Sequence, residues 1–300
     1  MELGASHPGE IRPLAKLARP RVGVITNVRS VHLEGFGDLF GVARTKGELF
    51  EELPPDGVAV FNPAELGMSQ IARRCGRASI TFGARPGVHV RLESVEERAE
   101  GIAATINGVR FEVPLMSRRL AWNVCAGAAV GLAFGIDLPR AAEALRRFEA
   151  PSDRLSRRIL GGLVMLYDAY NANPTSMRAA LDAVRTQPAA RRRVLVLGDM
   201  LELGPVSKRA HEDLGRAVAQ AAPDLTVSVG RCVRATVGAM RERGVPAERI
   251  VSFEDTESAA RSVPSLLADG DVVLLKASRG LKFEKIRDAI EARFAGAGAG

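Results

Sequence analysis

Residues 163–174 read Leu163-Val-Met-Leu-Tyr-Asp-Ala-Tyr-Asn-Ala-Asn-Pro174, and this stretch decides the fold of the second half of the chain. Its apolar run is typical of a buried strand and ends at Asp168. Asn173 and Pro174 then predict the N-cap and the first residue of a helix. The apolar residues of that helix recur on one face, at Met177, Leu181 and Val184. A carboxylate at a strand end beside a helix N-terminus predicts a ligand-binding edge of an α/β sheet.

A second stretch repeats this arrangement. Arg193-Val-Leu-Val-Leu-Gly198 reads as a strand, and Asp199-Met-Leu-Glu-Leu-Gly204 follows it directly. Ordinary strand-to-helix turns rich in Asn and Asp would explain either stretch alone equally well. Two such stretches in succession favour a ligand site over ordinary turns.

From residue 151 onward, predicted strands and helices alternate. The strands end at Asp168 and Gly198 or span Leu225–Gly230, Ile250–Phe253 and Val272–Lys276, and the helices end at Val184 or span Val206–Ala221, Val233–Arg243, Glu257–Leu267 and Phe283–Phe294. Such alternation predicts a doubly wound, Rossmann-like α/β domain with mostly parallel strands over residues 151–294. The Gly-Ala repeat at residues 295–300 predicts a disordered tail.

The first 150 residues predict a second α/β domain. Strands are expected at residues 21–27 and 57–62, and helices at residues 38–53, 124–134 and 139–148, the last with Leu145 and Phe148 on its buried side. Short alternating segments at residues 78–82, 88–94 and 109–115, with a turn at Asn107-Gly108, predict an antiparallel region that flanks the main sheet.

Composition limits the class of protein. With 300 residues and 46% hydrophobic content, the chain is long enough for two ordinary cores. No apolar run reaches the roughly 18 residues that a membrane span needs, and no secretory signal begins the chain, so we expect a cytoplasmic protein. The net charge of +7 favours anionic substrates, whereas scattered basic residues and 5% aromatic content argue against nucleic acid.

Lys46 is the most informative residue of the first half. It lies on the apolar stripe of the helix at residues 38–53, the stripe of Leu39, Val42, Leu49, Phe50 and Leu53. A buried ammonium group is costly unless it is paired or neutral. In one interpretation, the Lys46 side-chain stem packs against the apolar residues and its ammonium group points outward into water. In the other, the pKa of the Lys46 amine is lowered, and the neutral amine can react with carbon dioxide.

Four segments resemble the Mur ligases. They are Tyr167-Asp-Ala-Tyr-Asn-Ala-Asn-Pro174, Leu197-Gly-Asp-Met-Leu-Glu-Leu-Gly204, Thr45-Lys-Gly-Glu-Leu-Phe50 and His32-Leu-Glu-Gly-Phe-Gly37. The resemblance runs from Glu2 to about Ala292 and is to the branch of the family that uses D-alanyl-D-alanine. It implies a partial central nucleotide-binding domain over residues 1–150, followed by the Rossmann-like C-terminal domain.

The resemblance implies ATP-dependent amide-bond formation in peptidoglycan synthesis. A UDP-N-acetylmuramoyl tripeptide would be activated as an acyl phosphate and attacked by the amine of D-alanyl-D-alanine, with Mg²⁺ offsetting charge on the phosphoryl group. Another amide ligase of the superfamily, such as a folylpolyglutamate synthase, is the alternative, but it fits Tyr170-Asn-Ala-Asn-Pro174 poorly.

The resemblance also implies a metal site. Glu2, His32 and a carbamylated Lys46 would hold magnesium, and Lys46 and His32 are the implied catalytic residues. Taken alone, a histidine after a strand is more often structural, and a carboxylate beside an initiator methionine is more often only solvated. The Mur ligase pattern reverses that preference for His32.

The implied binding residues fall into two sets. Asn123, Arg154 and Asp168 would contact the nucleotide. The substrate set contains Asn171 and Asn173 near the incoming dipeptide and Lys276, Ser278 and Arg279 as anion contacts. On the bare sequence, Arg154 is equally well a surface arginine in a hinge.

Two segments depart from the family pattern. Asn62-Pro-Ala-Glu65 stands where Asn-x-Asp-Asp is expected, and Arg119 and Leu120 replace a histidine and an asparagine.

The sequence contains no Gly-Lys dipeptide, so it has no glycine-rich phosphate loop of the usual kind. The family's N-terminal, UDP-binding domain is not found in it either. Three explanations follow: a shortened chain, a missing segment supplied in trans, or a degenerate copy that serves as an inactive binding module. Activity of this chain alone, the third residue of the stem peptide and the oligomeric state stay open at this point.

Overall fold

The computed structural model describes residues 1–29, 33–149, 153–188 and 191–294. Its strands are β1 Val22–Ile25, β2 Val58–Phe61, β3 Ala78–Gly83, β4 Val90–Arg98, β5 Gly101–Ile106, β6 Val109–Val113, β7 Ser156–Leu160, β8 Leu163–Asp168, β9 Arg192–Gly198, β10 Leu225–Val229, β11 Ile250–Phe253 and β12 Asp271–Lys276. Its α-helices are α1 Ile11–Ala18, α2 Leu33–Phe36, α3 Leu39–Glu51, α4 Met68–Cys75, α5 Ala121–Ala133, α6 Leu138–Arg146, α7 Pro174–Thr186, α8 Ser207–Ala221, α9 Val233–Glu242, α10 Thr256–Leu266 and α11 Glu284–Phe294. Within these described ranges, no helix is long and apolar enough to cross a bilayer.

The chain divides into two compact units. The first contains residues 1–96, 102–113 and 119–148, and the second contains residues 97–101, 114–118 and 149 onward. The main change of unit falls between Phe148 and Glu149, and two short stretches of the first half belong to the second unit.

The first unit is built on a sheet of order β1-β2-β3-β4-β5-β6. Strands β1, β2 and β3 are parallel, as expected when each is joined to the next through a helix. Apolar residues of α3 and α4 pack on this sheet, among them Val42, Phe50 and Met68, which are fully buried. The carboxyl ends of the parallel strands therefore meet at one edge of this unit.

The antiparallel prediction for residues 78–82 is wrong. This segment is β3, which pairs with β2 in parallel because the crossover helix α4 returns the chain to the same end of the sheet. The predicted segment at residues 88–94 falls mostly in β4, which pairs with β3 in parallel. Strands β5 and β6 are antiparallel and are joined at Asn107 and Gly108, whose φ angles of 46° and 76° fit the predicted turn. Strand β5 was not predicted, since Gly101-Ile-Ala-Ala-Thr-Ile106 lacks a clear alternation.

The expected burial of Phe148 is also wrong. Helix α6 ends at Arg146, two residues earlier, and Phe148 is 40% exposed. Leu145 is partly buried, as predicted for the inward face of this helix. The sequence pattern extended the helix too far, and helix ends are the least certain part of such predictions.

The second unit confirms the doubly wound fold. Its sheet has the order β11-β10-β9-β12-β8-β7, in which β8 to β12 are parallel and β7 runs antiparallel at the edge. One apolar cluster joins this sheet to α7, α8 and α9, and another joins it to α10 and α11. The edge strand β7 was not predicted. The predicted tail at residues 295–300 lies outside the described residues.

Helix α7 begins where the sequence predicts. The Asn173 side chain accepts a hydrogen bond from the Ser176 N–H, and the Ser176 hydroxyl accepts one from the Asn173 N–H, which completes a capping box. Met177, Leu181 and Val184 are buried, as predicted. Local cap chemistry and apolar spacing thus fix the loop between β8 and α7.

Candidate active site

Two adjacent strand ends form an ion pair in the second unit. Asp168 ends β8 and Lys276 ends β12, and the two residues are register partners in the parallel pairing. The Lys276 Nζ lies 2.7 Å from the Asp168 Oδ2. The lysine side chain is 0% exposed and the aspartate side chain is 14% exposed. The Asp168 carboxylate is therefore partly accessible to solvent, whereas the Lys276 ammonium group is not.

Lys276 also binds the loop after β8. Its Nζ donates to the Asn171 carbonyl at 3.0 Å and approaches the Asp168 carbonyl at 3.5 Å. Burial lowers the pKa of Lys276, and the charge and hydrogen bond of Asp168 act against that shift. The lysine therefore ties the Asp168–Asn171 backbone to β12, and binding an external anion would require replacing these partners.

The loop after β9 is held by polar contacts of its own. Asp199 accepts hydrogen bonds from the N–H groups of Arg231 and Val233, at 3.1 and 2.8 Å, just where α9 begins. The Ser278 N–H donates to the Asp199 carbonyl, and the Ser278 hydroxyl accepts from the Leu201 N–H. Ser278 is 4% exposed, so its hydroxyl supports the loop from inside.

His211 fixes the same loop from α8. Its Nε2 accepts a hydrogen bond from the Met200 N–H at 3.1 Å, so the proton of the neutral ring lies on Nδ1 and is donated to the Ser207 carbonyl at 2.8 Å. The side chain is fully buried. Sequence reasoning missed this residue, although a histidine one turn into α8 is visible in the sequence.

Lys46 occupies the corresponding edge of the first unit. It lies on α3, which Asp38 caps, and its Nζ donates to the Asn27 carbonyl at 2.8 Å in the loop after β1. The side chain is half-buried. Burial lowers the pKa of the Lys46 amine; the charge of Glu65 opposes this shift and that of Arg29 adds to it. The interpretation with a fully solvated ammonium group is therefore not what the structure shows.

Glu65 was read as a departure from a pattern, yet it organises this loop. Its Oε2 accepts hydrogen bonds from the Val28 N–H at 2.8 Å and from the Arg29 guanidinium at 2.7 Å. Its side chain is 9% exposed. Asn62 instead makes a local turn by accepting from the Ala64 N–H. A carboxylate shortly after a strand was the available signal for this role.

The remaining predicted residues that the structure describes lie at the surface. Asn123 is exposed in the first turn of α5, and Glu2 is exposed in the irregular start of the chain. The Arg154 guanidinium stacks 4.2 Å from the centre of the Tyr170 ring. Arg279 is exposed, with Glu284 at 3.8 Å. The prediction for His32 lies outside the described residues.

Two family sequence profiles cover most of this chain. The profile of the Mur ligase middle domain matches residues 1–131, and that of the Mur ligase glutamate ligase domain matches residues 146–279. The chain belongs to the Mur ligase family.

Several Mur ligases are similar to this chain. UDP-N-acetylmuramoyl-tripeptide–D-alanyl-D-alanine ligases from Bacillus subtilis strain 168 and Escherichia coli K12 are 32% and 31% identical to it, each over 97% of this chain. The match covers 64% of each relative. The chain therefore spans less than two thirds of the length of these Mur ligases.

Solved structures agree with this assignment. MurF from Acinetobacter baumannii matches 97% of this chain with a TM-score of 0.83 and 28% identity. MurF from Thermotoga maritima in complex with ADP matches 98% with a TM-score of 0.81 and 26% identity. The chain covers 64% and 66% of these two structures. The fold seen here is that of the Mur ligase middle and C-terminal domains.

Within the second unit of this Mur ligase, the structure brings Asp168, Asn171 and Lys276 into direct contact. Asn173 and Ser278 lie nearby in sequence, but their polar side-chain atoms bind the protein backbone. Their assignment to substrate, like that of Asn123, Arg154 and Arg279 to ligands, stays a prediction.

Proposed function

We propose that this chain supplies the middle and C-terminal domains of an ATP-dependent, ADP-forming ligase that adds D-alanyl-D-alanine to a UDP-N-acetylmuramoyl tripeptide in peptidoglycan synthesis. Two relatives that carry this name are 32% and 31% identical over nearly the whole chain, and a similar solved structure contains ADP. We place the two domains at residues 1–150 and 151–294. The cytoplasm, where soluble nucleotide-linked precursors are available, is the proposed location.

Lys46 is the observation that carries the proposal. Its amine is half-buried, binds a backbone carbonyl and has a lowered pKa, all within the segment Thr45-Lys-Gly-Glu-Leu-Phe50. A lysine that only packed its stem would hold its ammonium group in water. A neutral amine can add carbon dioxide, and loss of one proton from nitrogen then gives a carbamate with two oxygens. We propose this modification at Lys46.

Magnesium would be held by Glu2, His32 and the carbamate of Lys46. Among the described residues no three His, Cys, Asp or Glu side chains form a group suited to a metal, so the site depends on the added carbamate and on His32. Carboxylate-like oxygens fit Mg²⁺, a hard cation. When bound, the ion offsets negative charge on the transferring phosphoryl group.

The other predicted residues form two groups: those with polar side-chain atoms at the surface and those whose side chains bind the protein backbone. Asp168, Asn171 and Arg279 present polar side-chain atoms to solvent and are proposed to contact ligand directly. Lys276, Asn173 and Ser278 bind the backbone and are proposed to hold the two loops in place.

Asn123 and Arg154 are proposed nucleotide contacts. Both lie at the surface, where a nucleotide can reach them.

The experiment is a phosphate-release assay with ATP, D-alanyl-D-alanine and the UDP-linked tripeptide. The chain is assayed alone and then with the N-terminal third of a relative added in trans. We expect release that requires all three substrates and the added segment. Lys46→Met abolishes it, whereas Lys282→Met, at an exposed lysine, leaves it unchanged.

A second candidate is a binding module without catalysis, favoured by Arg119 and Leu120, which replace a histidine and an asparagine of the family pattern. No phosphate release in either arm, together with retained binding of D-alanyl-D-alanine or nucleotide, would establish that candidate. The same result would contradict the ligase proposal.

A further inference from the structure

A groove of about 610 Å³ lies in the first unit. Its walls come from the ends of β2, from α4 and from β3. The lining residues are Phe61, Pro63, Ser69, Ala72, Arg73, Gly76, Arg77, Ser79 and Thr81. None of them belongs to the proposed nucleotide, metal or dipeptide sites.

Helical and strand periodicity place the two walls opposite each other. On the helix side, Ser69, Ala72 and Arg73 follow the spacing of a single face of α4, and Gly76 is the C-cap residue of this helix. On the sheet side, Ser79 and Thr81 are two residues apart and therefore point to the same face of β3. The groove thus lies open to solvent between one helix face and one strand face.

The groove has a positive lining. Among the residues that the structure describes, Arg73 and Arg77 are the charged ones that line it, and no carboxylate does. Each guanidinium is oriented by a bond from Nε to a backbone carbonyl, Arg73 to Ser69 at 3.1 Å and Arg77 to Leu53 at 2.9 Å. Anchoring through Nε fixes the plane of the fork that binds anions in a bidentate manner.

A neighbouring carboxylate does not cancel this charge. Glu51, whose charge acts on Cys75 at the end of α4, is paired with the Arg12 guanidinium.

Hydroxyl groups line the same groove. The Ser69 and Ser79 hydroxyls reach backbone carbonyls only at 3.5 and 3.4 Å, the long end of the hydrogen-bond range. Such weak bonds are readily exchanged for a ligand oxygen. Gly76 adds open space, since a Cβ there would meet no atom within 4 Å.

We propose that this groove binds a phosphorylated small molecule. A phosphate carries nearly two negative charges and three strong acceptor oxygens, which match two guanidinium groups and the serine hydroxyls better than a single carboxylate does. Phe61, Pro63 and Ala72 give the groove an apolar side for the organic part of the ligand. Its volume lies within the usual range of small-molecule sites.

The test follows backbone amide chemical shifts of the ¹⁵N-labelled chain during titration with ribose 5-phosphate, at a salt concentration near 0.15 M. Ribose and acetate are titrated separately. We expect saturable shifts at Gly76, Ser79 and Thr81 with ribose 5-phosphate and none with ribose. Acetate binds at least about tenfold more weakly, since it lacks the second charge.

Variants locate the site. Arg73→Gln and Arg77→Gln each weaken binding about tenfold. Arg74→Gln removes an exposed arginine of the same helix that does not line the groove, and it leaves binding unchanged. Ser79→Leu, which blocks the groove from the strand side without removing a charge, abolishes the shifts. Thermal unfolding checks that each variant is folded.

Three results would overturn the proposal: no saturable shifts, equal weakening by Arg74→Gln, or equal binding of acetate. The groove contains none of the proposed ligase residues, so its failure would leave the proposed ligase function untouched, and the reverse also holds.

Discussion

Each unit buries a lysine side chain, fully or in part, at the carboxyl edge of a parallel sheet, but the two units do so differently. Lys276 is fully buried and its ammonium group has a carboxylate partner at 2.7 Å. Lys46 is half-buried and its Nζ is 2.8 Å from a backbone carbonyl of Asn27. Burial lowers the pKa of both side chains.

The difference separates a structural lysine from a reactive one. The carboxylate partner of Lys276 favours the charged, non-nucleophilic form of this lysine against the effect of burial. Lys46 donates to a carbonyl and not to a carboxylate, and the charge of the nearby Glu65 opposes the effect of burial only in part, so its neutral form can react. We therefore propose that Lys276 holds the loop after β8 in place and that Lys46 is the reactive lysine, although both belong to motifs of the same family.

The largest expected effect comes from breaking the ion pair of Lys276. Asp168→Asn leaves a fully buried ammonium group without its counter-charge, so we expect the free energy of unfolding to fall by about 3 kcal/mol. Lys276→Met leaves an aspartate that is 14% exposed and can bind water, and we expect a smaller loss of about 1 kcal/mol. Urea denaturation followed by circular dichroism measures both.

The matched control is Asp288→Asn, which removes an exposed carboxylate paired with Arg287 in the same unit. Surface pairs contribute little, so this variant should change the unfolding free energy by less than about 0.5 kcal/mol. Equal losses of unfolding free energy for Asp168→Asn and Lys276→Met would contradict this account. It requires an unpaired ammonium group of Lys276 to cost more stability than an unpaired carboxylate of Asp168.

Replacing the N-cap residues of α7 and α3 tests whether the two units differ in the stability of these helices as well as in their lysines. Asn173 caps the helix beside Lys276, and Asp38 caps the helix that carries Lys46. Each replacement by alanine removes one capping acceptor, so we expect similar losses of about 1 kcal/mol in the free energy of unfolding. Thr175→Ala, at an exposed position of α7, is the control. A loss confined to one cap would place the difference between the regions in the helices and not in the lysines.

Lys46→Met gives the smallest stability effect. It removes a partly desolvated ammonium group along with one hydrogen bond, so near pH 7 we expect a change between zero and a gain of about 1 kcal/mol in the free energy of unfolding. Phosphate release in the complemented assay should nevertheless be lost. A variant that keeps its stability but loses activity identifies a residue that is needed for function and not for the fold.

The pH dependence of this variant has a definite sign. The folded pKa of Lys46 is below the unfolded value, so between these two values the unfolded chain binds more protons. The stability of the wild type relative to Lys46→Met therefore rises with pH across that window and is constant below it. Lys282→Met, at an exposed lysine, should show no such rise. A flat difference for Lys46→Met would mean that its pKa is unchanged by folding.

Much of the second unit could be predicted because its signals are local. The cap at Asn173 and the apolar face of α7 depend on residues within a few positions of one another. The partner of Lys276 could not be predicted, since Asp168 is 108 residues away and meets it only because β8 and β12 are neighbours. The lysine was therefore read as an anion contact.

The first unit shows the same limit. The spacing on α3 identified Lys46 as an inward lysine, and the structure shows it half-buried. Glu65 was read as a departure from a motif because its contact, the loop after β1, is distant in sequence. The direction of β3 depends likewise on the crossover through α4, which an alternating pattern alone does not reveal.

The most direct test of the assignment is ¹³C NMR of the chain in ¹³C-bicarbonate near pH 8. We predict a carbamate signal that is absent in Lys46→Arg and present in Lys276→Arg and Lys282→Arg. A carbamate at the N-terminal amine would survive in all three variants and is thereby distinguished. If every carbamate signal persists in Lys46→Arg, or if the signal is lost in Lys276→Arg instead, the assignment of chemistry to Lys46 and of structure to Lys276 is contradicted.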